Sequence, residues 1–465
     1  MYLSSFLHIY QPPTQKELWV RRITDESYRK VFKGLREIER GRLTLNINGI
    51  LCELLEKYGG HDVIQSIKEL VDRGQIELTG SAKYHAFLPK LSEAEIERQI
   101  YLNEATLNKY FGANWKKGGF FSPEMAYSFN IAKVAKRMGY KWMIVDELAF
   151  PKGHAFSPNR IYQIEGLDDF GVFFRERGVS FKILSAQIGA VNTLVRFLGD
   201  RVHKNEYAVT AMDGETFGHH RPGLEMLLFE LCKEPSITPA TLGDLYQFFK
   251  DREKVAVRDS TWASTAKDLD KGLSYVRWDN KENKIQAWQW ELTDLAVKIV
   301  EKSKKQEGEE YEKARHLLDE ALHSDQYWWA SARPWWSLEM IERGAFELRR
   351  VIESAPSSTT KDKKHAFELY SNIMFEGFEW QRSGYVDQIS RQEDEERIER
   401  LDEKEKMFVT REEYEEMIKT LKHQMKIAAD AEEYHRASMI KDRIRELQEE
   451  MEEQTAKQET KGIVL

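Results

Sequence analysis

Tyr207-Ala-Val-Thr-Ala-Met-Asp213-Gly-Glu215-Thr-Phe-Gly-His219-His220 decides how the rest of the chain is read. An apolar strand ends on an acid, and a loop flexed by glycine then gathers a second carboxylate and two imidazoles. Gly118-Gly-Phe-Phe-Ser-Pro-Glu124-Met-Ala-Tyr127 repeats the plan, with an apolar strand, an acid, and then a run of helical period. Carboxylates delivered at the ends of separate strands are the arrangement that glycoside chemistry uses.

Working outward, short apolar runs rich in branched and aromatic residues alternate with helical stretches from residue 1 to about 250. Strands are expected at 2–9, 43–48, 75–79, 118–122, 141–145, 171–174, 180–184 and 207–212, and helices at 27–40, 60–73, 92–111, 128–139 and 222–233. Ser92 with Glu95 has capping-box spacing, and Pro222 suits a first helical turn. A barrel and a doubly wound sheet both fit this alternation. His8, Asn46, Asn48, Glu77, His85, Glu124, Asp146 and Asp213 fall at or just after strand ends, which in a barrel share one mouth. An open sheet would carry a glycine-rich phosphate turn at its switch point, and neither that turn nor a Walker-type Gly-x-x-x-x-Gly-Lys is found.

The 465 residues are 41% hydrophobic and suffice for about three units at roughly 150 residues each. The chain is read as 1–270, a (β/α) barrel; 271–390, a tryptophan-rich helical domain completing the cleft; and 391–465, a charged linker and a helical hairpin. With 70 basic against 78 acidic residues, there is no excess of positive charge for a polyphosphate, so nucleic acid is not expected as a partner. Cys52 and Cys232 stand alone, which fits a reducing compartment without disulfides. The N-terminus lacks a basic leader and no apolar run approaches the roughly 20 residues that span a bilayer, so a cytoplasmic protein without a membrane partner is expected. Nine of twelve tryptophans lie between Trp262 and Trp380; such rings stack on sugars but more often pack as core. Residues 391–406 are a charged linker or solvated helix. Beyond them Ile418, Leu421, Met425 and Ala428 form one stripe and Tyr434, Ala437, Ile440, Ile444, Leu447 and Met451 another, with a turn at 429–433.

Five segments in order resemble glycoside hydrolase family 57 over roughly residues 1–340: His8-Ile-Tyr-Gln-Pro12, Gly74-Gln-Ile-Glu77, Phe121-Ser-Pro-Glu124, Asp213-Gly-Glu-Thr-Phe-Gly218 and Ser324-Asp-Gln-Tyr-Trp-Trp329. The resemblance implies an incomplete seven-stranded (β/α) barrel, a retaining mechanism, and an oligosaccharide or polysaccharide substrate with α-glucosidic links, handled by hydrolysis or glucan transfer. It implies Glu124 as nucleophile, kept ionised by nearby donors or positive charge, and Asp213 as acid/base, starting protonated. Retention further implies the two carboxyls about 5 to 5.5 Å apart. His8, Glu77, Asp325 and Trp328 match sugar-contacting positions, and His85 joins them from its local pattern. Glu215, His219 and His220 belong to the same group and are placed to tune Asp213. No cofactor and no metal are implied.

Two residues depart from the family pattern. Tyr10 stands where the opening motif has its second histidine, and Phe121 where a tryptophan often precedes the nucleophile, so altered sugar contacts are expected. Residues 411–453 resemble the UVR helical hairpin, which implies a protein partner or self-association. A metal-dependent carbohydrate deacetylase is the first rival reading, but no two of the twelve histidines lie four apart, as a helical His-x-x-x-His pair requires. A non-catalytic glucan-binding module with an interaction tail is the second.

Overall fold

The computed structural model describes residues 1–400 apart from 307 and 334, residues 411–430, and residues 437–452 apart from 439 and 450. Its strands are β1 (Tyr2–Ile9), β2 (Leu43–Ile47), β3 (Ile76–Leu78), β4 (Gly119–Phe120), β5 (Trp142–Asp146), β6 (Ile161–Ile164), β7 (Gly171–Arg175), β8 (Tyr207–Asp213), β9 (Thr238–Pro239) and β10 (Arg252–Val255). β8, β1, β2 and β3 pair in parallel, and so do β7, β5 and β4. A parallel bridge between Gly80 and Phe120 joins the two groups. This seam needs glycine: a Cβ on Gly80 would lie 1.9 Å from Tyr140 Oη, and one on Gly119 2.0 Å from the Trp142 ring. On the far side β7 and β8 share no ladder among the described residues, and Glu176 N donates to Val209 O at 2.8 Å. The seven parallel strands therefore form a distorted barrel with one loose edge, the architecture that the resemblance implies.

The barrel interior is filled by Phe6, Trp142, Ile144, Phe173, Val209 and Ala211 from the strands, by Phe121 just past β4, and by Leu242 and Leu245 from the helix Leu242–Phe248, in one apolar cluster. Strands buried on both faces read as continuous apolar runs, which is why most of them were legible in the sequence. β6 lies antiparallel on β7 and carries β10, an annex that the sequence reading lacked, as it lacked β9. The strand expected at 180–184 is a helix, Arg177–Leu184. Val179, Phe181 and Ile183 alternate like a strand, but Val179, Ser180 and Ile183 are the buried set, a helical spacing, and Phe181 stays exposed beneath Arg175 and Arg177. The helix expected from 222 begins at Glu225, and that expected at 27–40 is a π turn, Thr24–Tyr28, running into Arg29–Arg36.

Helices Lys284–Ser303, Glu309–Ala321, Leu338–Ser354 and Thr360–Arg382 pack on the barrel, with Ile100, Ile131 and Val134 of barrel helices in the same apolar cluster as Ile299, Leu318 and Leu348. A buried ion network crosses this junction: Arg315 donates to both oxygens of Glu95 at 2.7 and 2.9 Å and to Asp319 at 2.9 Å, while Arg98 grips Asp319 with two bonds of 2.7 Å. It also explains why the capping box at Ser92 is half-formed. Ser92 accepts from Glu95 N at 3.3 Å, but the Glu95 carboxylate is turned away to Arg315.

Further on, residues 391–400 continue the helix Tyr385–Arg400, and the rest of the expected linker to 406 lies outside the described residues. In the tail, Tyr414, Met417, Ile418 and Leu421 of helix Arg411–Asp430 cluster with Ile440, Ile444 and Leu447, and Met425, Ala437, Met451 and the barrel's Ala190 pack against them. Most of the expected turn, Tyr434 and the side chain of Ala428 lie outside the described residues. No helix among the described residues is long and apolar enough to cross a membrane.

Candidate active site

Pro123 and Glu124 sit in the tight turn that follows β4, and Glu124 holds the left-handed conformation with φ 61° and ψ 16°. A non-glycine residue there is strained by roughly 1–3 kcal/mol and persists only when its surroundings over-determine it. Trp262 does so twice: its backbone N–H donates to Glu124 O at 3.2 Å and its indole Nε1 to Glu124 Oε2 at 2.9 Å. Ser324 Oγ lies 3.1 Å from the other carboxylate oxygen, Oε1. The turn thus aims a carboxylate into the mouth with a donor on each oxygen.

His8 and His85 flank it. His85, itself at φ 57°, places Nδ1 2.9 Å from Ser324 Oγ and Nε2 3.1 Å from His8 Nε2, while His8 Nδ1 lies 2.7 Å from Asn46 Oδ1. Tyr10 lies flat on His85, ring centroids 4.0 Å apart, and donates to Asp325 Oδ2 at 2.7 Å. The phenol at the position where the family pattern has histidine is therefore spent on Asp325. His323 also meets Asp325 Oδ2, at 3.1 Å, and reaches Glu347 with its other nitrogen at 3.3 Å. Although burial opposes charge, these two carboxylates raise the His323 imidazole to about 10. Asp325 is pushed up by burial, yet the bonds from His323 and Tyr10 hold it below its ordinary value, so it is an anion. Trp328 is half-buried and stacks on Trp278 at 5.0 Å.

Asp213 ends β8 directly beside His8 in the parallel register. Burial raises its carboxyl to about 6, against the pull of Arg175. Arg175, at the end of β7, is itself buried and oriented by Asp146 at 3.0 Å; Arg177 holds the other Asp146 oxygen at 2.7 Å. Asp146 is thus the anchor of an ion pair behind the site. Glu215 is buried, bonded by Tyr28 Oη and by Gln11 Nε2 at 3.3 Å, and raised to about 8 by burial and by the Asp213 charge. The expectation that His219 and His220 tune Asp213 does not match their positions: His219 Nδ1 is 2.5 Å from Glu26 Oε2, and His220 faces solvent. Arg175 is the cation that bears on Asp213.

Glu77 is not brought to the cluster. Its register partner is Thr44, which in turn pairs with Phe6, so it stands two residues below the level of His8. There its carboxylate accepts from Gly243 N at 2.7 Å and caps the helix Leu242–Phe248 that plugs the barrel. The expected sugar contact at Glu77 is replaced by a structural bond.

The protonation order also differs from that implied by the assigned roles. Burial raises the Glu124 carboxyl to about 8 and the Asp325 charge adds to this, with only a tryptophan N–H and a serine hydroxyl opposing them. His85, 3.8 Å away, supplies no charge because burial lowers it to about 4. Glu124 therefore lies above Asp213, and the Asp213 charge itself contributes to that rise. Among the described residues, no three His, Cys, Asp or Glu side chains converge as a metal site.

Carboxylates at the ends of separate strands of a distorted parallel barrel, near enough for the charge of one to raise the other, define the class of glycoside-active α/β enzymes. Residues 3–255 match glycosyl hydrolase family 57, more than half of the chain, and the chain belongs to that family. Residues 415–450 match the UvrB/UvrC motif. An α-amylase of Pyrococcus horikoshii is 25% identical over 229 residues, which are 48% of this chain and 35% of that protein. The chain thus spans about a third of that relative's length. The solved structures of a branching enzyme from Thermococcus kodakaraensis (17% identity, TM-score 0.59, covering 79% of this chain and 94% of that one) and a 4-α-glucanotransferase from Thermococcus litoralis (19%, 0.58, 76% and 58%) share its fold.

Proposed function

We propose that this chain is a retaining enzyme on α-linked glucans, a hydrolase or glucanotransferase, with Glu124 as nucleophile and Asp213 as acid/base. What carries the reading is the Glu124 turn: a strained, doubly braced carboxylate whose protonation responds to the charge of a second carboxylate at the end of another strand. Asp213 protonates the leaving oxygen as Glu124 attacks the anomeric carbon, and then deprotonates the water or sugar hydroxyl that opens the glycosyl-enzyme. Asp325, anionic and anchored through Oδ2, offers its other oxygen to a sugar hydroxyl, and Trp328 offers a ring face. The productive pair carries one proton, on Asp213, although burial and the Asp325 charge favour Glu124 for it. The positive charge that develops on the sugar during bond breaking draws Glu124 towards its ionised form.

Incubation with maltooligosaccharides tests the reading, with glucose release marking a hydrolase and redistribution of chain lengths a transferase. Proton NMR of the first product should show the α-anomer, and a β-anomer would refute retention. The pH profile of kcat/KM should be a bell. Below about 6 both carboxyls are protonated and no nucleophile remains, and above about 8 both are ionised and no acid remains. Trp262→Phe keeps a ring but removes the donor to Glu124 Oε2, a charge-assisted bond. It should cost roughly tenfold or more in kcat/KM at neutral pH and move the alkaline flank upward. The tail, whose apolar seam is covered by its two helices and by Ala190 of the barrel, is read as a module for a protein partner or a second copy, its charged faces making the contacts.

A further inference from the structure

A single line of hydrogen-bonding groups runs from Glu124 into the barrel wall. Ser324 Oγ lies 3.1 Å from Glu124 Oε1 and 2.9 Å from His85 Nδ1; His85 Nε2 lies 3.1 Å from His8 Nε2; His8 Nδ1 lies 2.7 Å from the Asn46 amide, which lies 3.2 Å from Thr79 Oγ1. Ser324, His85, His8, Asn46 and Thr79 are all buried. Burial also keeps both rings neutral above the acid range, lowering His85 to about 4 and His8 well below its ordinary value. A neutral imidazole has one N–H, and a serine hydroxyl has one proton to donate.

Those counts leave two consistent arrangements, because the facing Nε2 atoms need one proton between them. In the first, Glu124 is protonated and donates to Ser324, Ser324 donates to His85 Nδ1, His85 Nε2–H donates to His8, and His8 Nδ1–H donates to Asn46 Oδ1. In the second, every direction reverses. Thr79 donates to Asn46 Oδ1, the Asn46 amide to His8 Nδ1, His8 Nε2–H to His85, His85 Nδ1–H to Ser324, and Ser324 to an ionised Glu124. The two differ by the one proton that Glu124 loses to solvent, and each ring keeps one N–H on the opposite nitrogen.

We propose that these six side chains form a reversible hydrogen-bond wire in which ionisation of Glu124 flips Ser324, both imidazole tautomers and the Asn46 amide, so that Ser324 donates to Glu124 only when Glu124 is charged. The catalytic role of the wire rests on Glu124 being the nucleophile: it supplies what the surroundings of Glu124 lack in positive charge, a donor that appears on demand and stabilises the nucleophilic form without a cation. Ser324, His85, His8 and Asn46 are then positioning residues for Glu124. The other charged groups facing the wire are Asp213 and Asp325 at Glu124, Asp325 at His8, and Asp325 and His323 at His85, with Glu347 behind His323 and the Tyr10 phenol against the His85 ring. Asp325 remains an anion and His323 a cation up to about 10, so neither titrates where Glu124 does.

Histidine-selective 15N and 13C NMR of the full chain between pH 5.5 and 9.5 tests this. His85 should pass from Nε2–H to Nδ1–H and His8 from Nδ1–H to Nε2–H, with one shared midpoint. Glu124→Gln should abolish that pH-dependent exchange. Ser324→Ala should uncouple it, move the alkaline flank of the kcat/KM bell up by about one unit and lower kcat/KM at neutral pH about tenfold. Ser324→Thr, which keeps the hydroxyl, should restore both. Unchanged tautomers while Glu124 titrates, or a charge on either ring in that range, would overturn the wire. If the tautomers exchange as described but no α-glucan is processed, the wire stands and the retaining reading fails.

Discussion

Glu124→Ala should lower turnover of maltooligosaccharides by at least about a hundredfold, the scale that a positioned catalytic group contributes. The loss should fall on kcat and on kcat/KM alike, because attack on the anomeric carbon is made only in the transition state, whereas Asp325 and Trp328 would still bind sugar. Removing the side chain also leaves a space beside Trp262 Nε1 and Ser324 Oγ that small anions fit. Azide should therefore restore part of the turnover and yield a glycosyl azide of inverted anomeric configuration. Asp213→Ala should cost at least about a hundredfold on natural glucans as well, but far less on a glycosyl fluoride, whose leaving group needs no proton. A Glu124→Ala protein that turns over glucan at the wild-type rate would end the assignment, and an inverted glycosyl azide from Asp213→Ala, in place of the retained one that trapping of a glycosyl-enzyme gives, would exchange the two roles.

Arg315→Ala should destabilise the fold by about 3–5 kcal/mol, with a fall in the midpoint of thermal or urea unfolding. Arg315 is the cation between Glu95 on a barrel helix and Asp319 on the helical layer, and these three side chains are 5%, 5% and 2% exposed. Its removal strands two carboxylates in the junction, with only Arg98 left to reach Asp319 and nothing in that network left for Glu95. The junction also carries Ser324 and Asp325, on the segment between helices Glu309–Ala321 and Leu338–Ser354, against Glu124. Activity should thus fall at temperatures below the main unfolding transition. Unchanged unfolding in Arg315→Ala would show that the layers are held by apolar packing alone.

What was legible from the chain is what local chemistry dictates. Apolar runs ending in Glu124 and Asp213 read as strands that deliver acids, because a parallel strand buried on both faces is apolar along its length and a polar residue marks where it leaves the core. The apolar stripes of the tail were legible for a similar reason: helical period survives without knowledge of the partner. The run at 180–184 misled because alternation over so few residues is also met by one and a half turns of helix, and only the position of β8 decided which side chains were buried.

The sequence by itself pointed to a barrel and to Glu124, Asp213 and His8, since each lies at or just after the end of a strand, and the family resemblance added Asp325. Only the tertiary structure decided that Trp262, 138 residues from Glu124, braces its turn, that Arg175 is the cation beside Asp213, and that Glu77 caps a helix instead of facing the mouth. It also decided the order in which the carboxyls titrate, placing Glu124 above Asp213. The physical reason is that periodicity and turn chemistry are properties of neighbouring residues. Register, burial and the electric field at a carboxylate are set by groups that meet only when distant strands come into line.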